Sequence, residues 1–124
     1  MQTCFGLKKL QKILDRSEFL LLSEHGKKFQ DNYFIVLCLS GSSPWPRLGV
    51  TVSRRVGNAV NRNRIKRLVR EWFRLRRSAV SGNWDINIIA KKSAAIIAKK
   101  SAAGVTFNQV YQSLEKLFAK IGGF

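Results

Sequence analysis

Residues 54–74 read RRVGNAVNRNRIKRLVREWFR, eight basic side chains against the single acid Glu71. At 100° per residue, Ile65, Leu68, Val69, Trp72 and Leu75 gather on one side of a helix. Arg62, Lys66, Arg70, Arg74 and Arg77 fall within roughly a third of the circumference, with Arg67 at the margin. The stretch is therefore expected to be an amphipathic helix that docks an apolar face on the rest of the chain and turns a cationic face outward. Asn58 or Asn61 can cap it, its periodicity runs to about Arg77, and Ser81-Gly82-Asn83 ends it.

The flanking segments supply what this helix packs against. Arg47–Ser53, RLGVTVS, alternates as a strand, and Asp85–Lys91, DINIIAK, is another. The apolar run 33–39, YFIVLCL, lies between turn-forming clusters and reads as a strand buried on both faces. Lys27–Gln30 adds a brief strand before it. Upstream, Leu7, Leu10, Ile13, Leu14 and the Phe19–Leu22 cluster have helical spacing, with a break near Ser17, which can cap a turn from Glu18, and an end at Gly26. Thr106 is expected to cap a last helix, Phe107–Ile121, with Val110, Leu114, Leu117, Phe118 and Ile121 on one side. The order αβββαβα describes an α+β fold, a two-layer α-β sandwich with a small mixed four-stranded sheet. A length of 124 residues suits one domain spanning 1–124.

The unit IIAKKSAA occupies 88–95 and recurs unchanged at 96–103. Two copies of eight residues cannot build a solenoid. Only one IIAKK can be the strand that Asp85 begins, so the first copy is assigned to the sheet and the second to a projecting loop or an extra helical turn. Lengthening a loop costs little, which makes a tolerated insertion the simplest account.

The formal charge is +16, from 23 Lys and Arg against 7 Asp and Glu. Such an imbalance repels itself and attracts polyanions, nucleic acid first and an anionic membrane surface second. No run of 18 apolar residues exists, so no membrane span is expected. MQTCFGLKKL lacks a signal-peptide pattern, which implies a cytoplasmic protein. Cys4 and Cys38 are too few for a disulfide framework or a zinc site, and Cys38 reads as core.

A helix kept soluble by charge mixes signs at i and i+4, because such pairs stabilise it. Here 62, 66, 70 and 74 are all positive along a ridge of about 18 Å at 1.5 Å rise per residue. Arg outnumbers Lys seven to one between 62 and 77, favouring forked contact with phosphate over diffuse membrane attraction. Arg64 lies off the ridge beside Asn61 and Asn63, placed to reach another strand of a folded partner. Gly57 lets backbone approach a ligand. Nuclease machinery is a different matter. His25 is the sole histidine and reads as a helix-end residue, and the seven acids Asp15, Glu18, Glu24, Asp31, Glu71, Asp85 and Glu115 show no paired spacing for acid–base work or metal binding. No catalytic residue and no metal ligand is assigned. The chain is expected to bind an RNA or DNA backbone, not to cut it.

Ser53–Arg67, SRRVGNAVNRNRIKR, closely resembles the signature of the bacterial ribonuclease P protein subunit, whose core is the Arg-Asn-Arg at 62–64. The resemblance extends through Phe19–Gly26, Asn32–Phe34 and Asp85–Lys92 and from Thr106 into the last helix. It implies that catalysis belongs to an RNA subunit, a ribozyme whose Mg2+ is held mainly by that RNA and the substrate. The protein assists removal of the 5′ leader from precursor tRNA. It implies a left-handed β-α-β crossover, which periodicity cannot reveal. Carried over by position, Arg62, Asn63, Arg64, Lys66, Arg67, Arg70 and Arg74 contact the catalytic RNA. The leader lies in a cleft between the second helix and the sheet, lined by Phe19 and Phe34 and edged by Ser53, Arg54, Arg55, Asn58 and Asn61. Aromatic rings suit a leader of variable sequence, since any base stacks for roughly 1–3 kcal/mol. Phe19 and Phe34 also sit among apolar neighbours, where core packing competes with stacking; Trp72 and Phe73 read as core, and Trp45 and Trp84 as loop residues. Two positions depart from the family: Lys12-Ile13 stands where Arg-Leu is frequent, and Leu37 where some members carry a cleft aromatic. The implied partners are the catalytic RNA and precursor tRNA, with no membrane and no DNA. A structural RNA-binding protein of the ribosomal kind would share the charge but not the 53–67 match, and a DNA-binding module lacks a helix-turn-helix pair here.

Deleting residues 96–103 is expected to leave folding and RNA-dependent activity intact. Circular dichroism and a cleavage assay check this, and loss of either makes the second copy structural.

Overall fold

The computed structural model describes residues 16–41, 45–76, 84–94 and 103–120, with side chains from 108 onward in the last segment. Its elements are α1 (Arg16–His25), β1 (Lys27–Gln30), β2 (Phe34–Ser40), β3 (Arg47–Val52), α2 (Ala59–Arg76), β4 (Trp84–Ala90), a 3-10 turn (Lys92–Ala94) and α3 (Ala103–Ala119). The expected α+β order αβββαβα is found, three helices on a mixed four-stranded sheet ordered β1-β2-β4-β3. β1–β2 and β2–β4 are antiparallel, and β3–β4 is parallel. A parallel pair needs a crossover, and α2 supplies it. Among the described residues no helix is long and apolar enough to cross a membrane.

Register assigns every strand residue to a face. Val36 pairs with Ile88 and Ile88 with Val50; Leu37 pairs with Asn87 and Asn87 with Gly49. Phe34, Val36, Cys38, Leu48, Val52, Ile86, Ile88 and Ala90 form one face, buried against Ile65, Val69, Trp72 and Phe73 of α2 and Val110, Leu114, Leu117 and Phe118 of α3. The opposite face carries Ile35, Leu37, Leu39 and Ile89, covered by Phe19 and Leu22 of α1. The 33–39 run is apolar throughout because helices lie on both sides of β2. Gly49 lets α1 settle there: a Cβ at that position would stand 2.5 Å from Phe19 Cε1. Gly26 closes α1, its N–H bonded to Leu22 O at 2.9 Å, and a Cβ there would meet the same oxygen at 2.5 Å.

Polar links tie the layers. Arg47 on β3 donates Nε to Asp85 Oδ1 at 3.0 Å and Nη2 to Oδ2 at 2.9 Å, and its Nη2 also bonds Glu18 on α1. The hydrogen bond with Asp85, then that with Glu18, holds the guanidinium further into its charged form against the cost of burial. Trp72, fully buried, stacks tilted on Phe118 at 4.5 Å and gives Nε1–H to Glu115 Oε2 at 2.9 Å, joining α2 to α3. Burial pushes the Cys38 thiol up, Lys27 offsetting part of this, so it is a protonated core group.

Several boundaries differ from expectation. α3 starts at Ala103, so Thr106 lies inside the helix rather than capping it, and α1 already includes Ser17. Trp84 opens β4, half-buried against the core, instead of standing in a loop; Trp45 is exposed. Leu75 is exposed while Phe73 is buried: Leu75 lies about 120° round the helix from Val69, and Phe73 only about 40°. Ile88 to Ala90 of the first IIAKKSAA copy are strand, as assigned, and Ala103 of the second copy begins α3. The helical stretch 7–14, Arg77, residues 96–102 and Ile121 lie outside the described residues.

Replacing Arg47 with Met is expected to cost about 2 kcal/mol, since it leaves two part-buried carboxylates without their shared charged donor. Urea denaturation checks this; an unchanged midpoint would show that α1 is held by apolar contact alone.

Candidate nucleic-acid interface

α2 is entered through a tight turn. Ser53 O accepts from Val56 N at 3.1 Å, and Arg54 and Arg55 project at the turn, both exposed. Asn58 is the cap: its Oδ1 accepts the Asn61 N–H at 2.9 Å, and its backbone O takes the first helical bond, from Arg62 N, also at 2.9 Å. Asn61 crowds Gly57, where a Cβ would come within 3.2 Å of Asn61 Cβ, so this glycine makes room for the helix's own side chain.

With Ile65, Val69, Trp72 and Phe73 against the sheet, the outward arc of α2 carries Asn63, Arg67 and Arg70, all exposed. Arg62 and Lys66 stand on one shoulder, half-buried, and the exposed Arg64 on the other. Arg67, expected at the margin, lies near the centre of the exposed arc. Among the described residues Arg62, Lys66, Arg67 and Arg70 make no ion pair. Arg62 Nε is also buried without a hydrogen-bond partner there, a donor held ready for an outside acceptor.

Arg74 differs. Its Nε bonds Glu71 Oε1 at 3.1 Å and its Nη2 bonds Oε2, one turn of internal neutralisation. That hydrogen bond draws the Glu71 carboxyl below its usual range. Arg76 pairs with Glu115 at 2.8 Å. The cations offered outward thus run from the turn at Arg54 to Arg70, and Arg74 joins them as half of a pair.

The two aromatics expected to line one cleft are on opposite faces of the sheet. Phe34 is 0% exposed within the α2–α3 core, and the space between α2 and the sheet is filled by side chains. Phe34 is therefore core, and among the described residues side chains fill the place of the expected cleft on that side. Phe19 is half-buried on the α1 side, its ring over Gly49 and packed against the small cluster of Leu22 and Leu37. Beside it the sheet stays open: Thr51 is exposed, and Ile35 and Ile89 are partly so. Thr51 Oγ1 bonds Oδ1 of the buried Asn87 at 3.2 Å. This shelf of Phe19, Ile35, Thr51 and Ile89 leads along β3 to Ser53, Arg54 and Arg55. The period-2 alternation of YFIVLCL could have separated Phe34 from Ile35, had it been known which face each helix would cover. His25 ends α1 and is exposed.

The ribonuclease P family model matches residues 7–122. A ribonuclease P protein component from Desulforapulum autotrophicum is 46% identical over 117 residues, 94% of this chain and 93% of that one. Another, from Clostridioides difficile, is 34% identical, covering 90% and 87%. Among solved structures, the ribonuclease P protein of Staphylococcus aureus superposes with a TM-score of 0.80 at 29% identity, covering 92% of this chain and 97% of the other. That of Thermotoga maritima gives 0.75 at 33% identity, covering 86% and 93%.

Phe34→Ala is expected to cost about 3–5 kcal/mol, as for other fully buried aromatics, and Phe19→Ala distinctly less. Comparing denaturation midpoints checks the assignment; equal losses would place both rings in the core.

Proposed function

The chain belongs to the ribonuclease P protein family, and on that premise we propose that it binds the catalytic RNA of ribonuclease P and the 5′ leader of precursor tRNA. In this reading the protein is the non-catalytic subunit of an endoribonuclease that frees mature tRNA 5′ ends, and it acts in the bacterial cytoplasm with RNA as its only nucleic-acid partner. The observation that carries the reading is the outward side of α2, where Arg62, Lys66, Arg67 and Arg70 make no ion pair among the described residues, on a helix whose other face is locked into the core.

Arg62, Asn63, Arg64, Lys66, Arg67 and Arg70 meet the folded catalytic RNA, their guanidinium forks matching phosphate oxygens. Because α2 is pinned by Trp72, Phe73 and the Glu115 bridge, the cations are held in place before RNA arrives, which limits the ordering cost of binding. Arg74, tied to Glu71, adds a weaker contact at the far end. The leader lies on the open α1-side shelf. There Phe19 offers a ring edge or face, and Ile35, Thr51 and Ile89 form a base-tolerant floor. Ser53, Arg54 and Arg55 hold its backbone where the shelf meets the α2 entry, near Asn58 and Asn61. Without an aromatic at position 37, stacking rests on Phe19.

Mg2+ in this reading is held by the RNA subunit and substrate, where it supplies charge neutralisation and an activated water. The protein's acids fit that division: Glu18 and Asp85 hold Arg47, Glu71 holds Arg74, and Glu115 holds Trp72 and Arg76. What these residues do for the reaction is orientation, by presenting the leader beside a bound catalytic RNA.

Adding the purified chain to a bacterial ribonuclease P RNA at low magnesium is expected to raise 5′ cleavage of precursor tRNA. An unchanged rate, with ribosomal RNA still bound, would hand the chain to the structural reading. Arg62→Ala with Arg70→Ala should weaken assembly and flatten its salt dependence by about one unit of log slope per lost contact. Retained affinity and slope would mean that the arc faces solvent in the complex.

A further inference from the structure

A groove of about 550 Å³ between the β1–β2 turn and α3 takes no part in the interface above, and its size falls within the roughly 300–1,000 Å³ of small-ligand sites. Gln30, Asn32 and Tyr33 form one wall, and Gln109, Gln112, Lys116 and Lys120 the other. The α3 residues recur every three or four positions, one stripe along the helix. The walls are braced together. Asp31 Oδ1 accepts the N–H groups of Tyr33 at 2.8 Å and Phe34 at 2.9 Å, and its Oδ2 accepts the Ser113 hydroxyl. The one acid lining the groove is thus occupied in holding its shape.

The remaining chemistry is specific. Primary carboxamides each carry a donor and an acceptor in a plane, the pattern that matches a base edge. Gln109 Oε1 is buried with no hydrogen-bond partner among the described residues, an acceptor awaiting an N–H. Lys116 and Lys120 are exposed at the open end and suit a phosphate. A bare anion would leave the amides unused, and an apolar guest would strand them.

A strand also has a route to this groove. Val52, Ala90 and Phe34 are aligned across β3, β4 and β2. The end of the sheet therefore sets Ser53–Arg55 beside Lys91 and Lys92, and these beside the 31–34 turn. Lys91 N bonds Tyr33 O at 2.8 Å, and the Ser93 hydroxyl bonds Asn32 O. Cations line the way from the α2 entry to the groove.

We propose that the groove is a subsite for one nucleotide of single-stranded RNA, its base held by the carboxamides of Gln30, Gln109 and Gln112 and its phosphate by Lys116 and Lys120. This rests on the RNA-binding reading and adds a second contact, on the α3 side of the sheet, remote from the Phe19 shelf. The test is titration of the ¹⁵N-labelled full chain with pentaadenylate, free adenosine monophosphate, or inorganic polyphosphate, following side-chain amide signals. Pentaadenylate should move the groove glutamine signals. Gln30→Ala with Gln112→Ala, both at exposed positions, should weaken its binding about tenfold. Lys116→Ala with Lys120→Ala should lower the log-log salt slope by about 0.7, for the loss of one single-strand phosphate contact. Still glutamine signals, or unaltered affinity in both variants with an intact backbone spectrum, would overturn the proposal. So would equal shifts with polyphosphate, which would mean charge alone, or binding of the free mononucleotide as tight as the oligonucleotide. Assembly with the catalytic RNA, measured separately on Arg62→Ala with Arg70→Ala, reports on the underlying reading without involving the groove.

Discussion

Seven carboxylates must serve 23 cationic side chains, and where those few acids go shapes everything else. Asp85 and Glu18 converge on Arg47, fastening α1 across the β3–β4 edge. Glu115 receives Trp72 and Arg76, fastening α3 to α2, and Asp31 braces the β1–β2 turn against α3. Each of these bonds joins elements distant in sequence, in part-buried surroundings where a charged hydrogen bond is worth more than on the surface. These acids are used as internal fasteners, and among the described residues Arg62, Lys66, Arg67 and Arg70 of α2 make no ion pair. Self-repulsion along that helix is tolerated because its opposite face is locked in an apolar core, and the repulsion turns into attraction once phosphates are near.

The central strand makes the second constraint. β2 is apolar on both sides, so the sheet needs cover on both. On one face α2 and α3 supply that cover, and side chains fill the space between α2 and the sheet. On the other, α1 covers only the middle, resting Phe19 over Gly49, and leaves Thr51 and the flanks of Ile35 and Ile89 open. An incomplete layer over an apolar sheet is a natural floor for flat, variable bases. Cationic α2 and this shelf meet at the Ser53–Arg55 turn, where the proposed function brings the leader and the catalytic RNA side by side.

Much of this was legible in the letters. The helical period of 62–76 and the alternation of RLGVTVS and DINIIAK match the observed elements, and the one-signed ridge is what points to an anionic partner. Ser53–Arg67 gave the family. The misplacements have different causes. The family resemblance puts Phe34 and Phe19 in one cleft, whereas the packing puts them on opposite faces of the sheet. Arg74 was counted with its ridge, although Glu71 three residues earlier on the same helix is in reach of its fork. Thr106 was taken as a cap, yet α3 begins at Ala103.

Taken alone, the sequence determined which residues form helix and strand and that one helix face is cationic, because periodicity and charge are properties of neighbours along a chain. Tertiary structure alone decided which side of the sheet each helix covers. That choice removed Phe34 from the surface, opened the shelf beside Phe19, and set the 31–34 turn against α3. Those outcomes depend on which distant residues compete for the same buried area and the same few carboxylates, and no local pattern records that competition.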